Sequence, residues 1–324
     1  MCRLIRVLGG CVPAFDLALF ESLNGEYREK RVVPQPRSLA GSSLLAQAES
    51  RLTGVTRKLD IQGKRVLEIG CGRGHVGRVL ADRYGCNVVG VDITSYDNWD
   101  EISDARLTLK VCDLATDDMD DLGTFDVIIS FVVFEHVLHP FGMLTAVRKL
   151  LAPGGRTYIS ANLYRGAKAS HRYREIFFPW PHLLFTDDVF KAYYKKHHGR
   201  ANIPAWVNKM TFAHYRLYHS LAGLRPQELW LSRPFFDEPF YERFHDRLGR
   251  YPRFDLAHDF IYAILGRDDD NTLPAVTDDR SADALREGLR DAERTIQSLR
   301  IDLTAAQREI AALRDPAQVA PATA

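Results

Sequence analysis

Between residues 65 and 160, short runs of β-branched and apolar residues alternate with stretches of helical periodicity. Arg65 to Ile69 reads as a buried strand and Val76 to Tyr84 as a helix. Asn87 to Asp92 and Leu107 to Asp113 read as the second and third strands. Phe125 to Ser130 is the fourth, followed by a helix from Met143 to Leu151. A turn at Pro153-Gly154-Gly155 leads to a fifth strand from Arg156 to Ser160. Strands that alternate with helices at this pace can bury both faces of a sheet only as a parallel, doubly wound α/β fold. The predicted class is therefore α/β, with a Rossmann-like, mostly parallel sheet.

The flanking sequence divides around that block. Residues 1–40 read as irregular, with Pro34 and Pro36 interrupting any long element. Leu44, Leu45, Ala48, Leu52 and Val55 recur at helical spacing and predict a helix leading into a catalytic domain over 41–267. Residues 164–220 break the strand–helix rhythm and read as an inserted cap. They are rich in aromatic, Lys and Arg residues, with Glu175, Asp187 and Asp188 as the acidic ones. Strand candidates at 228–231 and 260–265 follow, then a polar linker over 268–280. From Leu285 through Leu289, Ala292, Ile296, Leu299, Leu303, Ala306 and Ile310 to Leu313, apolar residues step by 4 and 3 in turn. That heptad spacing predicts a C-terminal coiled-coil helix over 281–314, before a disordered tail at 315–324.

Bulk properties exclude some function classes. The formal net charge of +1 gives no global attraction to nucleic acid or anionic membrane. No apolar stretch approaches the ~18 residues of a spanning helix. Leu8-Gly9-Gly10-Cys11 resembles a lipobox, but the apolar run before it falls short of the roughly 7–15 residues of a secretory h-region. Cys2, Cys11, Cys71, Cys86 and Cys112 are irregularly spaced and contain no CxxC pair, which argues against a disulfide framework or a zinc site. A cytoplasmic location is expected.

The chemistry begins at Val66-Leu67-Glu68-Ile69-Gly70-Cys71-Gly72-Arg73-Gly74. Here a strand ends in a glycine-rich turn that opens a helix, where unpaired N–H groups can meet a ligand. The spacing is GxGxG rather than the GxGxxG dinucleotide fingerprint. Glu68 lies inside the preceding strand. Asp92 closes the second strand, where a carboxylate can accept both ribose hydroxyls.

This set resembles the class I S-adenosylmethionine-dependent methyltransferases, over residues 60–165 and in outline over 225–265. The resemblance implies S-adenosyl-L-methionine as cofactor. It implies that Glu68, Gly70, Cys71, Gly72 and Gly74 lie against the methionine part, and that Asp92 and Ile93 serve the ribose side. Asp113 and Leu114 at the third strand's end correspond to the adenine-binding position, and Ser130 leaves the fourth strand beside the cofactor. Asp113 could instead simply cap a helix.

After the fourth strand comes Phe134-Glu135-His136-Val137-Leu138-His139-Pro140. It is similar to the E-H-V stretch of a group that includes quinone-biosynthesis and sugar or glycan O-methyltransferases. His136 is the candidate general base, with Glu135 to orient it. Some quinone enzymes of the group bind a metal through further acids near this loop. Val132 stands three residues before Glu135, so no metal is assigned. No N-P-P-Y or D-P-P-Y tetrapeptide follows the fourth strand, which tilts the reading from N- to O-methylation. In the cap, His171, Arg172, Trp180 and His182 are the substrate-contact candidates, since aromatic faces stack on rings and Arg binds anionic groups.

The first functional expectation is O-methylation of a sugar, polysaccharide or glycolipid hydroxyl. RNA, or another small molecule such as a quinone or natural product, is the alternative acceptor. A non-catalytic coiled-coil scaffold is the third reading. The heptad also predicts a homo-oligomer, most simply a dimer. Light scattering should find the full chain oligomeric and a chain truncated at Arg267 monomeric. The same oligomer in both would move the contact into the catalytic domain.

Overall fold

Val66-Leu67-Glu68-Ile69 can be a central strand because its apolar residues fill both faces of a sheet. The structure, a computed structural model, describes residues 14–30, 41–199 and 207–269, and the backbone of a short antiparallel hairpin pairing 5–7 with 10–12. Expectations for the linker beyond Asp269, the heptad at 281–314 and the tail lie outside the described residues. The strands are β1 (Arg65–Ile69), β2 (Asn87–Asp92), β3 (Leu107–Val111), β4 (Phe125–Phe131), β5 (Leu151–Asn162), β6 (Leu224–Leu231) and β7 (Phe260–Arg267). They form one sheet in the order β3-β2-β1-β4-β5-β7-β6. β7 runs antiparallel to β5 and β6, and the other neighbouring pairs in this sheet are parallel.

The strand order reverses at β1 and β4. Such a switch point opens a crevice at the strands' C-terminal ends, where open α/β sheets bind ligands. Register across the centre aligns Ile69 with Val91 and with Ser130, so the loops after β1, β2 and β4 meet at one edge. The Pro153-Gly154-Gly155 turn lies inside β5 rather than before it. The ladder with β4 skips there, from the Phe125–Leu151 pair to Val127–Arg156.

One sheet face is covered by α2 (Gly41–Thr56) and α3 (His75–Tyr84). Ala48, Leu52 and Val55 of α2 pack with Val76, Val79 and Leu80 of α3 on Val66, Val88, Val127 and Ile129. On the connections after β4 and before β6 lie α4 (Pro140–Leu150) and α6 (Phe212–Leu221).

The N-terminal segment departs from the irregular reading. Residues Leu17–Glu29 form a helix, α1, whose cap is Asp16, with its carboxylate accepting from the Leu19 N–H at 3.0 Å. Its buried face, Phe20, Leu23 and Tyr27, joins an aromatic core with Phe178, Trp180, Phe185, Phe190, Tyr194, Phe240 and Phe244. The cap is thus assembled from three parts of the chain: α1, the segment through α5 (Asp187–His198), and short helices between β6 and β7. The sequence signal was present in the i, i+3, i+7 spacing of Phe20, Leu23 and Tyr27.

Phe20 ties α1 to that core. Its ring meets Phe178, Phe185 and Phe190 edge-on at 5.1, 5.0 and 5.3 Å. Phe20→Ala should cost about 3–5 kcal/mol in urea unfolding of the full chain. A loss below about 1 kcal/mol, less than a single core methylene change can give, would detach α1 from the fold.

Candidate functional site

The glycine loop after β1 is shaped by backbone that other residues resist. Gly70 and Gly72 have φ of 70° and 50°. A Cβ on Gly70 would stand 2.3 Å from the Val133 side chain, while one on Gly72 would point into open space. One glycine therefore admits the loop after β4, and the next has open space where a side chain would stand. The Asp92 carboxylate accepts from the Gly72 N–H at 2.9 Å and, through its other oxygen, from Thr94 N–H at 3.3 Å. Each oxygen keeps lone-pair capacity for further donors.

Several expected contacts take different positions. Glu68 is buried beneath the loop, where its carboxylate accepts from the Gly77 N–H at 2.9 Å. Burial pushes its pKa up to about 8, with the Gly77 N–H and Arg51 opposing. In the structure it holds the first turn of α3 against β1. Cys71 is buried against Gly90, and burial together with Glu68 and Asp92 pushes its thiol far up, so it is a packing residue. Asp113 accepts from the Ala115 N–H at 2.9 Å, within a local turn rather than at the helix start that the sequence also allowed. The Leu114 side chain is buried, leaving only its backbone to offer. Ile93, by contrast, is 72 % exposed beside Asp92, an apolar surface available to a flat ring. Ser130 is buried at the end of β4, its hydroxyl without a partner among the described residues.

Sequence reasoning missed the residues that lock the loop. Trp99 donates its indole N–H to the Gly72 carbonyl at 2.8 Å. Asn98 donates to the Arg73 carbonyl at 2.9 Å. Both follow Asp92 on the connection after β2, a position from which they could have been inferred. Arg51 of α2 was also missed: its guanidinium lies 5.8 Å from the Phe131 ring centroid, beside the loop.

The loop after β4 is strained where it leaves the sheet. Val132 has φ of 60°, costly for a β-branched residue. The chain then makes one 3-10 turn, Phe134–His136. Asn208 fastens that turn. Its main-chain N–H donates to the Glu135 carbonyl at 2.8 Å, and its side-chain amide donates to the Phe134 and Val137 carbonyls at 2.5 and 3.0 Å. Ligand atoms of Glu135, His136 and His171 lie within 4.8 Å of one another, close enough to hold a divalent cation together. The sequence assigned no metal because Val132 lacks a carboxylate; in this group His171, from the cap, is the third potential donor. The His136 and His171 rings meet at 5.1 Å and 70°. Burial, with His136 and Arg172 adding to it, pushes His171 down to about 4, so it is neutral at pH 7. Burial raises the pKa of Glu135, opposed by its own backbone, His136 and the Asn162 backbone.

The other cap candidates take part in packing and hydrogen bonds within the cap. Trp180 is 0 % exposed and donates its indole N–H to the Leu256 carbonyl at 3.0 Å. His182 is buried with its Nε2 2.6 Å from the Tyr164 carbonyl oxygen, and burial pushes it down to about 4. Arg172 lies over the Tyr194 ring at 5.2 Å and near Glu175 at 3.8 Å. Of the four cap residues singled out, His171 is the one whose ring nitrogens lie with the ligand atoms of Glu135 and His136. Asp92→Ala should weaken S-adenosylmethionine binding by tenfold or more in calorimetry while the variant still folds and unfolds cooperatively, since a carboxylate's hydrogen bonds contribute about 1.5–3 kcal/mol. Normal binding by the folded variant would remove Asp92 from the site.

Comparison with known proteins agrees with this geometry. Residues 44–206 match the methyltransferase domain family, half of the chain. The ubiquinone biosynthesis O-methyltransferase of Cereibacter sphaeroides is 38 % identical over 119 residues, covering 34 % of this chain and 46 % of that protein. The enzyme of the same name from Pseudomonas aeruginosa is 30 % identical over 128 residues, covering 37 % and 53 %. The chain thus spans about half the length of these curated relatives. A solved S-adenosylmethionine-dependent methyltransferase from Mesorhizobium loti shares 16 % identity at a TM-score of 0.45, over 69 % of this chain and all of that one. With the glycine loop, Asp92 and the strand order already in place, the chain belongs to the S-adenosylmethionine-dependent methyltransferase domain family.

Proposed function

We propose that this methyltransferase transfers the methyl group to a hydroxyl oxygen of a small acceptor. The observation that carries the reading is the convergence of Glu135, His136 and His171 beside the glycine loop. The acceptor oxygen attacks the methyl carbon of the sulfonium in line. The carbon–sulfur bond breaks as the carbon–oxygen bond forms, and S-adenosylhomocysteine leaves. The hydroxyl proton passes to the His136 imidazole, which the Glu135 carboxyl and the His171 ring flank. Positioning supplies much of the rate, and a base raises the nucleophilicity of a neutral hydroxyl.

Both a sugar-type hydroxyl and a hydroxyl of a quinone precursor fit this chemistry. The sugar reading leaned on cap aromatics as stacking platforms, and Trp180 and its neighbours are core instead. Relatives named for O-methylation in ubiquinone biosynthesis make the quinone-type hydroxyl the first acceptor to assay. An RNA acceptor has less support, because a net charge of +1 supplies little attraction to phosphate. The thiols of Cys71, Cys86 and Cys112 are free, which favours the cytoplasm as the working compartment. Among the described residues, no helix is long and apolar enough to cross a membrane. The heptad over 281–314 remains the proposed oligomerisation element.

His136→Ala should lower kcat by about 10²–10⁴ with cofactor affinity nearly unchanged, the loss expected for a positioned base. Cofactor binding that collapses in step would make His136 part of the cofactor shell. Wild-type activity that a chelator abolishes and a divalent salt restores would turn the three residues into cation ligands.

A further inference from the structure

A surface helix buries one face and keeps the other polar. The helices α4 and α6, which pack side by side, break the second half of that rule. Leu144 and Val147 of α4 and Tyr215 and His219 of α6 are buried, as inner positions should be. On the outer positions Phe141 is 43 % exposed, Leu217 54 % and Leu221 61 %, and Leu138, just before α4, is 71 % exposed. The Phe141 ring lies 5.8 Å from that of Tyr218, so the apolar surface runs from one helix to the other. Leu217 and Leu221 stand one turn apart and carry it to the end of α6.

The chain leaves the described fold beside this face. The Asp268 N–H donates at 3.1 Å to the carbonyl of Gly223, two residues beyond Leu221. Arg148 of α4 meets the Asp268 and Asp269 carboxylates at 3.4 and 2.8 Å. Residues 270–280 then lead to the heptad, a reach of at most about 40 Å. A parallel coil that starts near Ser281 keeps the α4–α6 faces of two copies within linker reach, at an effective concentration of up to about millimolar.

The rim of the face carries both signs: Arg148 pairs with Asp269, and Lys149 with Asp120 at 2.9 Å. A surface that meets its own copy across a two-fold axis must be self-complementary, which needs both signs. An anionic membrane would instead select an excess of Lys and Arg. Four apolar side chains expose on the order of a few hundred Å², less than the roughly 800 Å² per partner of a stable interface. Such a face pairs only when something else holds the copies together, and the heptad would do so.

We propose that the α4–α6 face, centred on Phe141, Leu217 and Leu221, docks against the same face of a second copy of this chain. This inference takes its tether from the coiled-coil reading of 281–314 and is independent of the acceptor.

The test is sedimentation equilibrium of the full-length protein beside Leu217→Glu/Leu221→Glu and, separately, Ile296→Asp/Leu303→Asp. The wild type should dimerise, and each variant should raise the dimer Kd at least about tenfold. Leu217→Gln/Leu221→Gln should weaken the dimer in the same direction without adding charge. The thermal midpoint of the Leu217 and Leu221 variants should equal that of wild type diluted to the monomer, since both leucines are exposed. A wild-type Kd in those variants would overturn the docking face and leave the coil as the sole contact. An unchanged Kd in Ile296→Asp/Leu303→Asp, with the dimer lost in Leu217→Glu/Leu221→Glu, would overturn the coil reading and keep the face. A wild type that stays monomeric at every concentration overturns both. If that monomer binds phosphatidylglycerol vesicles and Leu217→Glu/Leu221→Glu does not, the face is a membrane contact instead.

Discussion

Gly70 lacks a side chain, and Val133 occupies the space that one would need. That packing brings the loop after β1, which shapes the cofactor crevice, against the loop after β4, which carries Glu135 and His136. Methyl transfer requires this closeness, because the cofactor's sulfonium and the acceptor must meet in line. The rest of the site braces the two loops. Glu68 holds the start of α3 from below, Trp99 and Asn98 hold the glycine-loop carbonyls, and Asn208 holds the Glu135 turn. The strain at Val132 is sustained by these contacts, together with the bond from its N–H to the Ser160 carbonyl.

The cap solves a different problem. The described part of the 164–220 segment cannot bury its own aromatics, so it borrows Phe20, Leu23 and Tyr27 from α1 and Phe240, Phe244 and Leu248 from beyond β6. Edge-on ring packing then gives the cap a core of its own, separate from the one under α2 and α3. A cap anchored in this way can present His171, with φ of 57°, and Asn208 to the loop after β4 at fixed positions.

The sheet was legible because its signals are local. A short run rich in β-branched and apolar residues reads as a buried strand wherever it occurs, and β1, β2 and β4 all follow that rule. The GxGxG spacing and Asp92 were legible because backbone geometry and hydrogen-bond capacity dictate them. What stayed hidden depends on tertiary packing. An aromatic residue in a cap has the same letter whether it stacks on a ligand or fills a core, and Trp180 fills the core. Glu68 carries a motif position, but only its burial under α3 reveals the amide it accepts from. His171 meets His136 from far along the chain through a turn that no periodicity marks. The α1 helix was readable in its apolar spacing, yet the nearby prolines drew the segment towards an irregular reading.

The central claim is that one crevice, bounded by Gly70, Gly72 and Asp92, sets a bound sulfonium against the Glu135–His136 turn. A crystal structure of the full chain with S-adenosylhomocysteine measures this most directly. The account predicts both ribose hydroxyls on the Asp92 carboxylate, the homocysteine chain along the bare backbone at Gly72, and the sulfur facing His136. A nucleoside seated away from Asp92, or a sulfur turned away from the loop after β4, would contradict it.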